Sequence, residues 1–116
     1  MNLIEIAVYA LVLAGPSPAL CQLAEGGAVV CSNGLAARAL SPTAARFSNG
    51  VTVRHEAEQF PVFSNGITSW FSSAGWLTFS NGVAVRRRSF SRYDFDTGLT
   101  CRAELPDLVD CRRLGP

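Results

Sequence analysis

The chain contains the segment Phe47-Ser48-Asn49-Gly50-Val51-Thr52-Val53-Arg54, and its first four residues recur at intervals of 16 residues. The further copies are Cys31-Ser32-Asn33-Gly34, Phe63-Ser64-Asn65-Gly66, Phe79-Ser80-Asn81-Gly82 and, more weakly, Phe95-Asp96-Thr97-Gly98. A strict period of this kind indicates one supersecondary unit that is copied and stacked. We number the positions of each repeat from the Phe or Cys that opens it.

Apolar and polar residues alternate on both sides of the Asn-Gly pair. Positions 15, 1, 5 and 7 are mainly apolar, and positions 2, 6, 8 and 16 are mainly polar. Such alternation predicts half-buried β-strands, and Asn-Gly between two strands predicts a hairpin. A three-residue Ser-Asn-Gly loop pairs position 1 with 5 and position 15 with 7, which places every apolar column on one face. A two-residue Asn-Gly loop sets Ser opposite Val, so we predict the three-residue loop, with a bulge and with Gly at positive φ.

The predicted fold is all-β, with tandem 16-residue β-hairpin repeats that form an antiparallel meander. Up to 12 short strands are expected between about Ala19 and Arg113. A single sheet cannot leave its apolar face in water, so we expect the sheet to curl or close on itself, to fold into two layers or to pair with another copy. The alternative is a parallel β-solenoid with one repeat per coil.

The four cysteines occupy equivalent positions of the repeat at the two ends of the array. Cys21 and Cys101 fall at position 7, and Cys31 and Cys111 fall at position 1 of the next repeat. These positions face each other across the turn formed by positions 9 to 14, which predicts the disulfides Cys21–Cys31 and Cys101–Cys111. We interpret them as covalent caps of the array, each worth about 2–3 kcal/mol. Zinc is disfavoured because no short Cys-x2–4-Cys spacing occurs.

The N-terminus differs in composition from the repeats. It is an apolar run in which only Asn2 and Glu5 are polar, followed by Pro16-Ser17-Pro18-Ala19. This pattern predicts a signal peptide over residues 1–19 and a mature repeat domain over residues 20–116. No basic residue opens the run, and the alternative is an amphipathic or anchoring N-terminal helix. The run is shorter than the ~20 residues of a membrane span, so we expect no stable span after cleavage.

Composition and motifs exclude several classes of function. The ten cations are all Arg and face nine acidic residues, a balance that argues against a nucleic-acid binder. No metal-ligand spacing, phosphate loop or nucleotide motif is present, so no cofactor is predicted. The one histidine, His55, has no predicted nucleophilic partner, and a solvated loop histidine is the favoured interpretation. We therefore do not expect an enzyme. An even number of cysteines in a short chain favours a secreted or periplasmic protein.

Two neighbouring segments are candidates for a binding surface. The third repeat places two tryptophans beside one turn, and the fourth repeat ends in a basic run, which together give the candidate residues Trp70, Phe71, Trp76, Arg86, Arg87 and Arg88. Trp70 takes position 8, an outward column that elsewhere holds arginine. Exposed aromatic and basic side chains are typical of surfaces that bind sugars or partners.

These features predict an exported binding or interaction module. A glycan, an anionic surface or another protein would suit its surface chemistry. The alternative is a purely structural or self-assembling repeat protein that has no ligand.

Overall fold

The computed structural model describes residues 1–113 and consists of one helix and one antiparallel sheet. The helix α1 spans Leu3–Ala14, and a short 3-10 turn spans Glu25–Gly27. The strands are β1 (Ala19–Leu23), β2 (Ala28–Cys31), β3 (Ala36–Ser41), β4 (Ala44–Phe47), β5 (Thr52–Arg54), β6 (Val62–Phe63), β7 (Ser69–Phe71), β8 (Leu77–Phe79), β9 (Ala84–Ser89), β10 (Arg92–Phe95), β11 (Leu99–Leu105) and β12 (Leu108–Arg113).

The predicted hairpin register is confirmed. Phe47 donates its N–H to the Val51 carbonyl at 2.8 Å, and the Gly50 N–H bonds to the Phe47 carbonyl at 2.9 Å. This is the three-residue loop with a bulge, and Gly50 has a φ of 88°. The strands that flank the turn of positions 9 to 14 pair position 7 of one repeat with position 1 of the next, in the register predicted for the cysteines. Each pair joins a smaller residue to a phenylalanine: Ala37 with Phe47, Val53 with Phe63, Ser69 with Phe79 and Val85 with Phe95.

The Ser and Asn of the repeated phrase each make a hydrogen bond that explains their recurrence. The Asn49 side chain accepts the Val51 N–H at 3.1 Å, which closes the turn from inside. The Ser48 hydroxyl accepts the Ala36 N–H of the preceding repeat at 3.0 Å. Equivalent Ser bonds occur at Leu20, Thr52 and Thr68. The serine column therefore joins each Ser-Asn-Gly turn to its neighbour.

The two ends of the meander pair with each other. β1 lies antiparallel to β12, with Cys21 opposite Val109, so the sheet curls into a nearly closed, barrel-like shape. Both predicted disulfides are present, Cys21–Cys31 within β1–β2 and Cys101–Cys111 within β11–β12. Their role as caps needs correction. They flank the junction between the chain ends, and the free edges of the sheet lie in the middle of the chain.

The open edge lies between β6 and β7. These two strands end the order of the sheet, and no ladder joins them in the part of the chain that the structure describes. Pro61 occupies position 15 of its repeat. In the preceding repeat this position is held by Ala45, which pairs with Val53 of the next strand. Proline has no N–H to donate to such a ladder. The Ser69 hydroxyl reaches across and donates to the Pro61 carbonyl at 3.5 Å.

Helix α1 lies inside the curled sheet and forms the centre of the core. Apart from Glu5 and the Tyr9 hydroxyl near its start, its side chains are apolar on all sides, as expected of a surrounded helix, and Ala7, Ala10 and Leu11 have no exposed surface. The inward phenylalanines of the repeats pack around it and are at most 3% exposed: Phe47, Phe63, Phe79 and Phe95. The apolar face of the sheet is thus covered by the N-terminal segment of the same chain.

Both ends of α1 have specific polar partners. Asn2 and Glu5 form a capping box at its start, and the Met1 ammonium contacts the Pro42 carbonyl. Near its end, the side-chain amides of two Ser-Asn-Gly turns donate to helix carbonyls, Asn81 to Val12 at 2.9 Å and Asn33 to Ala10 at 3.4 Å. The helix therefore runs from the end of the sheet that holds the variable turns to the end that holds the Ser-Asn-Gly turns.

The segment predicted as a signal peptide is folded in this structure. It forms α1, and β1 begins at Ala19, the residue after which cleavage is predicted. Cleavage there stays a prediction. It would remove eight buried helix residues from the core, from Ile4 to Val12.

Candidate functional site

A cavity of about 460 Å³ opens beside the start of α1, at the end of the sheet that holds the variable turns. We call it the mouth cavity. Its walls come from the first turns of α1, the loop 55–61, the β7–β8 turn, and β9 with β10. The lining residues are Asn2, Glu5, Val8, Tyr9, His55, Glu58, Gln59, Phe60, Pro61, Phe71, Gly75, Leu77, Val85, Arg86, Arg87 and Tyr93.

One wall of the mouth cavity is aromatic and follows from the open edge of the sheet. Phe60 precedes Pro61 and Phe71 ends β7, so the interrupted ladder leaves the two rings side by side at the rim. Their centroids are 5.4 Å apart, and the residues are 46% and 64% exposed. Paired aromatic rings with this much exposed surface offer an apolar contact area that the fold itself does not use.

Two arginines of β9 border the mouth cavity, and the ladder directs the Arg87 side chain to the inner face of the sheet and the Arg86 side chain to the outer face. The Arg86 guanidinium lies over the Trp76 ring, with its central carbon 4.4 Å from the ring centroid. Stacking of this kind holds a guanidinium in place. The Nε atom of Arg86 is buried and has no hydrogen-bond partner among the described residues. Arg87 also lines the cavity, and its Nε donates to the Ser89 carbonyl at 3.4 Å.

A polar cluster at the base of the mouth cavity ties α1 to the loop 55–61. His55 Nδ1 is 2.9 Å from the Tyr9 hydroxyl and 3.3 Å from Glu5 Oε2. The prediction of a solvated loop histidine is therefore wrong, because His55 is half-buried and bonded to the helix. The error came from treating Glu5 and Tyr9 as part of a leader, which left the histidine without partners.

The cluster changes the titration of its members. The hydrogen bond from His55 lowers the pKa of Glu5 against the opposing effect of burial, so the carboxylate is held ionised. Burial raises the pKa of Tyr9 and, more weakly, that of Tyr93. Both phenols are therefore neutral hydrogen-bonding groups at physiological pH. The cavity is thus bordered by the anionic Glu5 and by Arg87.

The structure brings together only some of the predicted binding residues. Phe71, Arg86 and Arg87 line the mouth cavity, and Trp76 supports Arg86 from behind. Trp70 is 47% exposed on the outer face, in the outward column as predicted, and does not line the cavity. Arg88 forms an ion pair with Asp94 at 3.3 Å on the outside.

The acidic residues that lie opposite the outward arginine column in the ladder form ion pairs with other arginines. Asp94 lies opposite Arg86 in the ladder, yet its carboxylate binds Arg88 and Arg92. Asp110 lies opposite Arg102 and pairs with Arg112 at 3.3 Å. Long arginine side chains reach neighbouring positions as easily as the facing one, so register alone did not determine the partners. As a result Arg86 remains without a carboxylate.

Sequence reasoning missed four members of the site: Glu5, Tyr9, His55 and Phe60. A signal for Glu5 existed, because Asn2 and Glu5 have the spacing of a capping box, which favours a helix that begins at Leu3. Phe60 carried no signal of its own. Its exposure follows from the interrupted ladder beside it.

Residues 1–113 contain no group of three or more His, Cys, Asp or Glu side chains that could hold a metal ion. No helix within that range is both long and apolar enough to cross a membrane. Comparison with known proteins gives no match to a family model, a curated protein or a solved structure. The two disulfides in a small all-β fold indicate an oxidising environment.

Proposed function

We propose that the protein is an exported binding module that takes a small, partly apolar ligand in the mouth cavity. The carrying observation is the cavity itself, because about 460 Å³ falls within the ~300–1,000 Å³ range of small-molecule sites. Its walls combine apolar and aromatic surface with a few placed polar groups, which is the usual composition of such sites. Export to a secreted or periplasmic location is supported by the disulfides. The proposal contains no catalytic step and no cofactor.

The aromatic wall supplies the main contact in this proposal. Phe60 and Phe71 offer two adjacent rings, and the residues are 46% and 64% exposed. A planar apolar group can stack against such rings and bury their exposed surface. Because the rings border the cavity, the same contact directs the ligand inward.

A neutral fluorescent probe tests the proposal. N-phenyl-1-naphthylamine should bind the full disulfide-bonded chain with a rise in fluorescence, and Phe71→Ala should weaken that binding roughly ten-fold. A buried aromatic contact worth about 1.5 kcal/mol corresponds to this factor. Phe90→Ala is the matched control, since Phe90 is 77% exposed and lies away from the cavity. Absence of saturable binding, or equal loss in both variants, would refute the proposal.

The open edge of the sheet favours a second candidate, self-association without a ligand. Strands β6 and β7 have unpaired edges, and Val62 and Trp70 are exposed beside them. Under this alternative the molar mass in solution should rise with concentration, and Trp70→Arg should suppress the rise. A constant monomer mass, measured by light scattering after size-exclusion chromatography, would remove this candidate.

A further inference from the structure

We propose that the end of the sheet that holds the variable turns docks on the surface of a phospholipid bilayer, with one apolar side chain from each turn inserted among the lipids. The inference goes beyond the proposed ligand site and does not depend on it. It comes from the positions of the exposed apolar side chains and of the arginines that lie just behind them.

Each of the six variable turns presents one exposed large apolar residue. Within residues 1–113, ten large apolar residues are exposed, and six of them lie in these turns or in the strand ends beside them. We call these six the turn-tip residues, and they are 43% to 77% exposed: Leu23, Leu40, Phe60, Phe71, Phe90 and Leu105. None of the ten lies in a Ser-Asn-Gly turn. The two ends of the sheet therefore differ in polarity.

The curl of the sheet arranges the variable turns in a ring around the mouth cavity. Because β1 pairs with β12, the first and last of these turns are neighbours, and the Leu23 N–H donates to the Asp107 carbonyl at 2.8 Å. At the open edge, the rings of Phe60 and Phe71 contact each other. Lipid chains adapt to single side chains on separate turns, whereas a protein partner gains most from one contiguous buried patch. The ring therefore suits a bilayer.

Exposed arginines lie a short distance behind the turn tips. Arg38 precedes Leu40 by two residues, Arg88 precedes Phe90 by two, and Arg102 lies similarly close to its own turn. Two residues of extended chain span about 7 Å, within the ~5–10 Å depth to which an interfacial apolar face enters a bilayer. With the tips inserted, these guanidiniums reach the lipid phosphates, which they bind through charge-assisted hydrogen bonds.

The aromatic side of the ring combines the apolar and basic features. Phe71 and Phe90 lie beside turns that contain no acidic residue, and the basic run Arg86-Arg87-Arg88 lies between these two turns. The acidic residues of the variable turns all lie in other turns: Glu25, Glu56, Glu58, Glu104 and Asp107. We therefore expect the side formed by β7 to β10 to make the deepest contact with the lipids.

Co-sedimentation of the full disulfide-bonded chain with vesicles tests the inference. The vesicles contain equal parts of phosphatidylcholine and phosphatidylglycerol. We expect saturable binding that Phe90→Ala weakens roughly ten-fold, as the burial of one aromatic side chain predicts. Leu40→Ala, at a distant turn, should also weaken it. Neither residue lines the mouth cavity, so the result is separate from ligand binding. Leu20→Ala is the matched control, because Leu20 is 48% exposed but its N–H bonds to Ser32 at the opposite end.

A second pair of variants tests the arginines. Arg88→Gln should lower the affinity for these vesicles roughly five-fold, as one cation near an anionic lipid surface predicts. Arg112→Gln is the matched control and should leave the affinity unchanged. Both arginines form an ion pair with an aspartate at 3.3 Å, but Arg112 shares a second cavity with Ser32, at the Ser-Asn-Gly end.

Bilayer docking is supported if the three turn-end variants weaken vesicle binding and the two controls do not. Absence of saturable binding by the unmodified chain would overturn it. Equal losses for Leu40→Ala and Leu20→Ala would reduce the effect to general surface hydrophobicity, and equal losses for the two arginine variants would reduce it to general charge. If the chain ignores vesicles but assembles with itself, and Phe90→Ala suppresses the assembly, the ring is an interface between copies and the inference is overturned.

Discussion

Replacing Leu11 by Ala tests the central position of α1. Leu11 has no exposed surface and lies among the inward side chains of the sheet. Removing a buried Leu side chain costs the transfer free energy of its lost atoms plus the cost of the cavity that remains. We therefore expect Leu11→Ala to lower the free energy of unfolding by about 3 kcal/mol. For a chain of this size the loss corresponds to roughly 10 °C in Tm.

The assay is urea unfolding of the full disulfide-bonded chain, followed by tryptophan fluorescence. Leu40→Ala is the matched control, because Leu40 is 58% exposed on β3 and should change stability by less than about 0.5 kcal/mol. A lower midpoint at an unchanged slope identifies a loss of stability alone. Equal midpoints for the two variants would show that α1 does not belong to the folded core, and the central-helix interpretation would be refuted.

Three further predictions concern the turn, the N-terminus and the pH response. Gly66→Val should lower the urea midpoint more than Ser64→Ala does. Gly66 has a φ of 91°, which valine adopts only with strain, whereas Ser64→Ala removes one exposed hydrogen bond. Equal midpoints for the two variants would contradict this prediction. N-terminal sequencing of exported material should return Leu20 if the predicted signal peptide is cleaved, which would rule out the mouth cavity as the site of the mature protein; Met1 is required if that cavity, with Glu5 and Tyr9 in its wall, is the binding site. The pKa of Glu5 is below its ordinary value of 4.5 in the folded state, so its stabilisation is present above that value and is lost as pH falls through the folded pKa. Glu5→Gln should therefore reduce the loss of stability on acidification from about pH 5, which acid titrations of thermal unfolding would show.

The N-terminal prediction and the Leu11 prediction are linked. If the mature chain begins at Leu20, the core loses α1, and burial worth about 1.5–3 kcal/mol for each large aliphatic side chain goes with it. The helix buries five such residues, so the loss is about 7–15 kcal/mol, which is comparable to the net stability of a small domain, about 5–15 kcal/mol. Exported material that begins at Leu20 should then show a clearly lower urea midpoint than the full chain. Comparison of the two forms measures how much of the stability α1 supplies.

Part of the candidate site was accessible from the sequence. Phe71, Arg86 and Arg87 stood out because the third and fourth repeats depart from the common pattern there. Glu5, Tyr9 and His55 did not, because their contact joins residues that are about 50 positions apart in the chain. The repeat pattern describes neighbouring strands only, so it cannot report such a contact.

The local rules of the chain determined the hairpins, their register, the glycine turns and the two disulfides. The repeat has a period of 16 residues, and apolar and polar residues alternate along each strand. Only one strand register then places all the apolar residues on one face, and this register depends only on neighbouring strands.

The tertiary structure decided the closure of the sheet, the position of its open edge at Pro61 and the location of α1. An apolar run of this length has the same sequence pattern in a leader peptide and in a buried central helix, because both need an apolar surface on all sides. Only the curled sheet, whose inward phenylalanines leave a space for a helix, shows where this segment lies in the folded full chain, and its cleavage stays a prediction. Closure itself depends on twist accumulated over twelve strands, and no single repeat contains that information.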